Sequence, residues 1–188
     1  MGFTLLCSCI PYIEIKNLNA MKAVYLISII MIWCVSNGFS QDGTEFDFWV
    51  GNWNLTWEYS DGTEGKGINH IVKTLDDKVI QENFEATDGG PYSGFKGTSI
   101  SVFNPNSKMW RQAWADNQGG YFNFIGEVGE GLRIFKTNPV KNQQGQDIIL
   151  RMRFYEIQPD SFTWDWEQSK DGGESWALQW RIHYERQE

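Results

Sequence analysis

The chain of 188 residues is poor in the residues on which much protein chemistry depends. Its three cysteines are Cys7, Cys9 and Cys34, so disulfides and cysteine-based catalysis are excluded from everything after residue 34. Only two histidines occur, without H-x-H or H-E-x-x-H spacing, which predicts no metal site. P-loop, nucleophile-elbow and dinucleotide motifs are also missing, and we therefore predict no cofactor.

Residues 21–40 have the order of a secretory signal peptide. Lys22 is followed by an uncharged apolar run over 23–35 and then by small residues that end in Ser40. The run is too short to span a bilayer, which needs about 20 residues. We predict cleavage after Ser40, a periplasmic or secreted protein, and an upstream or non-native extension over 1–20.

Basic side chains are also few. Leaving out residues 1–40 removes two of the 16 basic and one of the 24 acidic side chains, so residues 41–188 carry a net charge of −9. Nucleic acids and anionic membranes are bound through an excess of Lys and Arg. The balance thus argues against both as partners after signal cleavage, and it leaves the oligomeric state open.

Short alternating segments separated by turn residues fill residues 41–188, which is the pattern of an all-β barrel or sandwich. A meander of short hairpins leaves exposed edges unless it closes, so we predict an antiparallel up-and-down, lipocalin-like β-barrel. A barrel of this size has an interior that side chains fill or that holds one small ligand. The predicted strands number about ten: 52–59, 67–75, 78–86, 98–103, 109–116, 121–126, 132–137, 148–157, 162–168 and 176–186.

Residues 46–53 read F-D-F-W-V-G-N-W, two aromatic clusters around one glycine. The G-x-W that ends this stretch resembles the opening motif of lipocalin and calycin barrels. That resemblance implies a Trp53 packed across the closed end of the barrel, under Arg181 or Arg186 from a late strand. We therefore expect the stretch to plug one end of the barrel.

The resemblance extends along nearly all of residues 41–188. I-Q-E-N-F at 80–84, M-W-R-Q-A-W at 109–114 and D-G-G-E-S-W at 171–176 accompany the opening motif. Together they resemble the lipocalin-like bacterial family catalogued as domain of unknown function 1579. The family implies a calycin-type barrel and brings no reaction, cofactor or catalytic residue.

The string S-K-D-G-G-E-S-W at 169–176 is similar to the Asp-box of sialidases. An aspartate that accepts from turn amides, glycines at positive φ and a tryptophan beneath the hairpin explain such a string without catalysis. We interpret it as a structural turn.

Two histidines could in principle serve a haem or a catalytic step. A haem-binding barrel of the nitrobindin type uses a histidine on its last strand, but His183 alternates with Arg181 and Glu185 and is predicted to face outward. The glycines of the nitrobindin opening motif are replaced here by Leu55 and Trp57.

Tryptophan is unusually frequent, with nine in residues 41–188. Trp110 and Trp114, like Trp164 and Trp166, are spaced to lie on one face of a strand. Such rings either fill the lumen or stack on a flat ligand there. A row of exposed tryptophans would instead indicate a carbohydrate-binding module.

Polar residues that interrupt apolar faces are candidates for ligand contacts, because a buried polar group needs a partner. By alternation Glu82 shares a face with Ile80 and Phe84, Gln112 lies between two tryptophans, and His70 lies beside apolar neighbours. Glu82 and His70 would be adjacent across a hairpin, which is the geometry of a general base in an isomerase or hydrolase.

The preferred prediction is an exported barrel that binds a small apolar or aromatic molecule without catalysis. The predicted walls are Trp57, Trp114, Trp164 and Trp166, and the predicted orienting groups are His70, Glu82 and Gln112. The alternatives are an enzyme using Glu82 and His70 in the same lumen, and the carbohydrate-binding module.

Overall fold

A computed structural model describes residues 41–129 and 131–188; the predicted signal peptide and residues 1–20 lie outside them. The described chain contains one short 3-10 helix, Asp47–Trp49, and eleven strands. The strands are β1 (Gly51–Glu58), β2 (Glu64–Thr74), β3 (Val79–Ala86), β4 (Lys96–Asn104), β5 (Met109–Asp116), β6 (Tyr121–Gly129), β7 (Leu132–Lys136), β8 (Val140–Lys141), β9 (Asp147–Tyr155), β10 (Ser161–Ser169) and β11 (Ala177–Arg186).

Ten of these strands close into an antiparallel barrel. The pairing runs in chain order from β1 to β7, continues through β9, β10 and β11, and returns from β11 to β1, where Leu55 lies opposite Tyr184. The two-residue strand β8 pairs with β9. The predicted all-β up-and-down barrel of about ten strands is thus confirmed. β8 was not predicted, and β2 begins at Glu64 rather than at residue 67.

Alternation along each strand divides the core from the surface. In β1 the side chains of Trp53, Leu55 and Trp57 are buried, whereas those of Asn52 and Asn54 are exposed. Each fully buried large side chain contributes roughly 1.5–3 kcal/mol to folding. The burial of these three side chains therefore determines which face of β1 points into the barrel.

Glycines on neighbouring strands give the inward tryptophans their space. A Cβ atom built at Gly65 would lie 1.9 Å from Nε1 of Trp57, and one built at Gly97 would lie 2.0 Å from the ring of Trp114. Both glycines are buried. Each tryptophan ring thus lies against a glycine of the neighbouring strand, where a side chain would occupy the same space.

The aromatic stretch at 46–53 closes one end of the barrel. Phe46 and Trp49 are fully buried, and the carbonyl of Trp49 accepts a hydrogen bond from Nε1 of Trp53 at 2.8 Å. The guanidinium carbon of Arg186 lies 4.1 Å from the centroid of the Trp53 ring. The predicted plug is confirmed, with Arg186 as the arginine over Trp53.

The opposite end is formed by the end of β1, the start of β4 and the end of β5, because successive strands alternate in direction. Phe95 precedes β4 there, and Asp116 ends β5. No helix among the described residues is long and apolar enough to cross a membrane.

Candidate functional site

A cavity of about 170 Å³ lies inside the barrel, toward the end opposite the plug. Phe95 and Asp116 mark its outer end, and Glu82 and Tyr184 lie deeper, at the middle of β3 and near the end of β11. Its walls are mostly aromatic. The full lining is Glu82, Phe84, Phe95, Trp114, Asp116, Phe122, Phe124, Met152, Trp164, Trp166, Trp180, Ile182 and Tyr184.

Glu82 is the carboxyl group that the cavity buries, with only 5% of the residue exposed. Nδ2 of Asn69 donates to its Oε1 at 2.7 Å, and Oγ of Ser99 donates to its Oε2 at 2.6 Å. Burial raises the pKa of Glu82 to about 7, and the two hydrogen bonds limit that rise. Near neutral pH the carboxyl group is therefore present in both protonation states.

Tyr184 shares a donor with Glu82. The same Nδ2 of Asn69 lies 3.2 Å from the hydroxyl of Tyr184. Burial, together with the nearby charge of Glu82, raises the pKa of Tyr184 well above its ordinary value, so its hydroxyl stays neutral. Oδ1 of Asn69 is buried and has no hydrogen-bond partner in the described part of the chain.

Three tryptophans form the walls nearest the outer end. The rings of Trp164 and Trp166 are almost parallel, at 4°, with centroids 6.3 Å apart. The ring of Trp180 stands at 90° to Trp164, with the centroids separated by 6.0 Å. Nε1 of Trp180 is buried without a partner among residues 41–129 and 131–188. The walls thus present mainly aromatic surface.

Asp116 places a second carboxylate at the outer end. Nε1 of Trp114 donates to its Oδ2 at 3.1 Å, and the backbone N–H groups of Gln118 and Gly120 donate to its Oδ1 at 2.9 and 2.8 Å. Burial raises the pKa of Asp116, but these hydrogen bonds outweigh it and hold the pKa below its ordinary value. The carboxylate is therefore ionised at neutral pH.

Four of the predicted ligand contacts line this cavity: Glu82, Trp114, Trp164 and Trp166. Gln112 faces inward as expected but lies outside the lining, where its Nε2 donates to Oγ of Ser101 at 2.9 Å. Trp57 also faces inward, yet it lies behind Trp180, with ring centroids 5.2 Å apart. Trp57 and Gln112 therefore do not line this cavity.

His70 lies on the outside of the barrel, and its prediction as a lumen contact is wrong. Its ring Nδ1 is paired with Oδ1 of Asn52 on the outer face. The apolar neighbours Ile68 and Val72 suggested an inward face, but Asn69 and Ile71 point inward instead. Since Glu82 points into the lumen, the proposed pair of Glu82 and His70 does not exist.

Two kinds of residue were missed by sequence reasoning. Asp116 and Tyr184 line the cavity on faces that alternation identifies, since Asp116 follows Trp114 at i+2 and Tyr184 follows Trp180 at i+4. Asn69 carried one further signal: it follows Gly65 and Gly67 at i+2 spacing. Glycines that leave room for a large inward-facing ring lie on the inner face of a strand, so the i+2 spacing also predicts that Asn69 faces inward.

Other predicted features have structural explanations. The Asp171 carboxylate accepts from Oγ of Ser169 at 2.7 Å and from the backbone N–H of Ser175 at 3.0 Å, which supports the structural turn. His183 is exposed on the outer face, as predicted. Within the described ranges no cluster of His, Cys, Asp and Glu could hold a metal ion.

The carbohydrate-binding alternative required a flat row of exposed tryptophans. All nine tryptophans of the described chain are buried or half-buried. Trp176, in the turn before β11, is covered by Arg151, whose guanidinium carbon lies 3.7 Å from its ring centroid. The surface of this part of the chain thus offers no such row.

No family model matches the chain, and no curated protein matches it. Among solved structures, a redesigned β-barrel is similar over 79% of this chain and 100% of its own, with 13% identity and a TM-score of 0.42. A de novo designed fluorescence-activating β-barrel is similar over 78% and 99%, with 16% identity and a TM-score of 0.38. A protein of unknown function from the DUF3598 family of Nostoc punctiforme is similar over 78% and 99%, with 9% identity and a TM-score of 0.23. These similarities imply nothing about ligand or site, and the resemblance to family 1579 stays a prediction.

Proposed function

We propose that the protein is an exported, non-catalytic binding protein that holds one small, flat, apolar or aromatic molecule in the barrel lumen. The observation that carries this proposal is the aromatic cavity of about 170 Å³ with Glu82 in its lining. An engineered cavity of about 150 Å³ in another protein admits benzene. The cavity therefore suits a ligand of one ring, or of two where the second ring reaches the outer end.

The lining also suggests how such a ligand is oriented. The faces of Trp164, Trp166 and Trp180 supply the apolar surface on which a flat molecule stacks. Glu82 provides a hydrogen-bonding group at the inner end of the cavity.

Binding is favoured over catalysis because Glu82 lacks the partner that the enzymatic alternative assigned to it. His70 faces the opposite side of the sheet. Both oxygens of Glu82 accept hydrogen bonds, from Asn69 and Ser99, which fix its orientation. The proposal that the protein is exported rests only on the signal peptide predicted over residues 21–40.

Native mass spectrometry of protein purified under mild conditions tests for a ligand that remains bound. Isothermal titration with indole and benzyl alcohol then tests the cavity directly. Met152→Trp and Phe124→Trp both replace a lining side chain with a larger one and should abolish binding. Leu178→Trp, at a residue that is 47% exposed, is the matched control and should leave binding unchanged.

Circular dichroism and urea unfolding show which of these variants keep the fold. If both filling variants fold and still bind the probes as wild type does, the site is not this cavity. Absence of any bound molecule together with failure of both probes would overturn the proposal.

A further inference from the structure

The cavity is negatively charged. Two of its thirteen lining residues, Glu82 and Asp116, carry carboxyl groups, and none is Lys, Arg or His. Asp116 is held ionised at the outer end by Trp114 and by backbone donors. A cleft lined by charge of one sign concentrates ligands of the opposite sign.

Glu82 has accepting capacity left over. Each carboxylate oxygen offers about two lone-pair sites, and the structure fills one on each oxygen, from Asn69 and from Ser99. No positive group from the described lining faces it. A donor that enters the cavity with a positive charge can use the remaining sites and offset the cost of burying the carboxylate.

The aromatic walls favour the same charge. The face of an indole ring attracts a cation, and tryptophan does so most strongly among the aromatic side chains. Trp164, Trp166 and Trp180 lie together in the lining, with Phe84 5.8 Å from Trp180 between ring centroids. A cationic ligand that extends from Glu82 toward the outer end would therefore pass beside these aromatic rings.

We propose that the cavity selects protonated amines carried on a one-ring or short apolar body, with Glu82 as the buried counter-ion. This inference rests on the proposed function, since it names the class of ligand that the same cavity takes. A neutral ligand of the same size gains the aromatic contacts but leaves the carboxylate unpaired.

Benzylamine and benzyl alcohol test the inference as a matched pair, since they differ in the charged group and little in size. At pH 8 we expect wild type to bind benzylamine about tenfold or more tightly than benzyl alcohol. An ion pair that shifts the pKa of Glu82 by one unit or more corresponds to an affinity ratio of about ten or more. At pH 5.5 the amine is still charged but Glu82 is protonated, so the preference should disappear. Isothermal titration measures both affinities.

Glu82→Gln should lose the preference for benzylamine at pH 8 and keep its affinity for benzyl alcohol. Glu58→Gln, at an exposed residue of β1, is the matched control and should behave as wild type. Should Glu82→Gln fail to fold, proton release by wild type decides the matter. At pH 7 benzylamine should release about half a proton per molecule bound, because it favours the ionised form of a group with a pKa of about 7, and benzyl alcohol should release none.

The outcomes separate the two proposals. At pH 8, binding of benzyl alcohol as tight as that of benzylamine, or an amine preference that survives in Glu82→Gln, would overturn the inference and leave the proposed function standing. The same holds if wild type releases no proton on binding benzylamine at pH 7. If neither probe binds at either pH, the lumen does not hold such ligands and both proposals fail.

Discussion

Nδ2 of Asn69 donates a hydrogen bond of 2.7 Å to Oε1 of Glu82 inside the barrel, on the inner face shared by β2 and β3. The two side chains belong to neighbouring strands, and Ile71 is the residue directly opposite Glu82. Asn69 therefore reaches Glu82 diagonally across the sheet. This contact orients a titratable carboxyl group beside a cavity whose walls are mostly aromatic.

The first prediction concerns stability and pH. The pKa of Glu82 rises from an ordinary value of 4.5 to about 7 on folding, so the folded state binds more protons between these values. The free energy of unfolding should thus fall as pH rises from 4.5 through 7, by ~3 kcal/mol from this group. Glu82→Gln does not titrate and should gain that amount relative to wild type between pH 4.5 and 8.

Urea unfolding of both proteins at the two pH values measures this difference. The exposed Glu58→Gln should instead follow the wild-type curve. Stability curves of wild type and Glu82→Gln that run parallel with pH would contradict the assigned pKa.

The second prediction concerns Gly97, over which the Trp114 ring lies. A Cβ atom there would lie 2.0 Å from the ring, so Gly97→Ala must push Trp114 toward the cavity. Overpacking of this kind costs roughly 1–3 kcal/mol of stability. Affinity for benzyl alcohol should fall as well, since Trp114 lines the cavity.

Gly89→Ala is the control, because a Cβ atom at Gly89 meets nothing within 4 Å and its φ is not in the left-handed region. Calorimetric melting and titration of both variants check the result. Unchanged stability in Gly97→Ala would show that Trp114 moves freely at that position.

Alternation predicted much of the candidate site. The spacing of two residues from Ile80 and from Phe84 predicts Glu82 on the inner face, and the barrel confirms this. The same argument predicts Trp164 and Trp166 in the lumen, and both line the cavity. On these strands the apolar side chains outnumber the polar ones on one face only.

On β2 the same argument failed for a physical reason. Its inner face carries Gly65 and Gly67, which are small because Trp57 lies over them. Its outer face carries Ile68, which is 41% exposed. The more hydrophobic face of β2 is therefore its outer face, and for this reason the pattern wrongly predicts His70 in the lumen. Whether the inward-facing Trp57 and Gln112 line the cavity depends on how the strands tilt and pack against one another. The residue pattern of a single strand does not predict this.

The third prediction concerns the plugged end. Nη1 of Arg186 donates to the carbonyl of Val50 at 3.1 Å, and Nε donates to the carbonyl of Pro159 at 3.0 Å, while the guanidinium covers Trp53. Arg186→Lys keeps the charge but loses the planar fork that makes both bonds. We expect a loss of roughly 2–3 kcal/mol in the free energy of unfolding.

Urea unfolding checks this value, with Arg111→Lys, at an exposed residue of β5, as the control that should behave as wild type. Binding of benzyl alcohol should change little in Arg186→Lys, because Arg186 is not part of the cavity lining. A variant as stable as wild type would show that the plug does not depend on these bonds.

The fourth prediction concerns the turn between β10 and β11. Hydrogen bonds from Ser175 and Ser169 hold the pKa of Asp171 well below its ordinary value of 3.8. A carboxylate of this kind stabilises the fold above the unfolded pKa, and the effect is lost as pH falls through the folded one. Asp171→Asn should therefore lower the Tm at pH 7, and the difference from wild type should shrink progressively below pH 3.8.

Glu174→Gln in the same turn should leave the Tm unchanged, and thermal melts monitored by circular dichroism measure all three proteins. Because Asp171 lies outside the cavity lining, a parallel loss of benzyl alcohol binding in Asp171→Asn would mean that this turn, rather than the lumen alone, shapes the site.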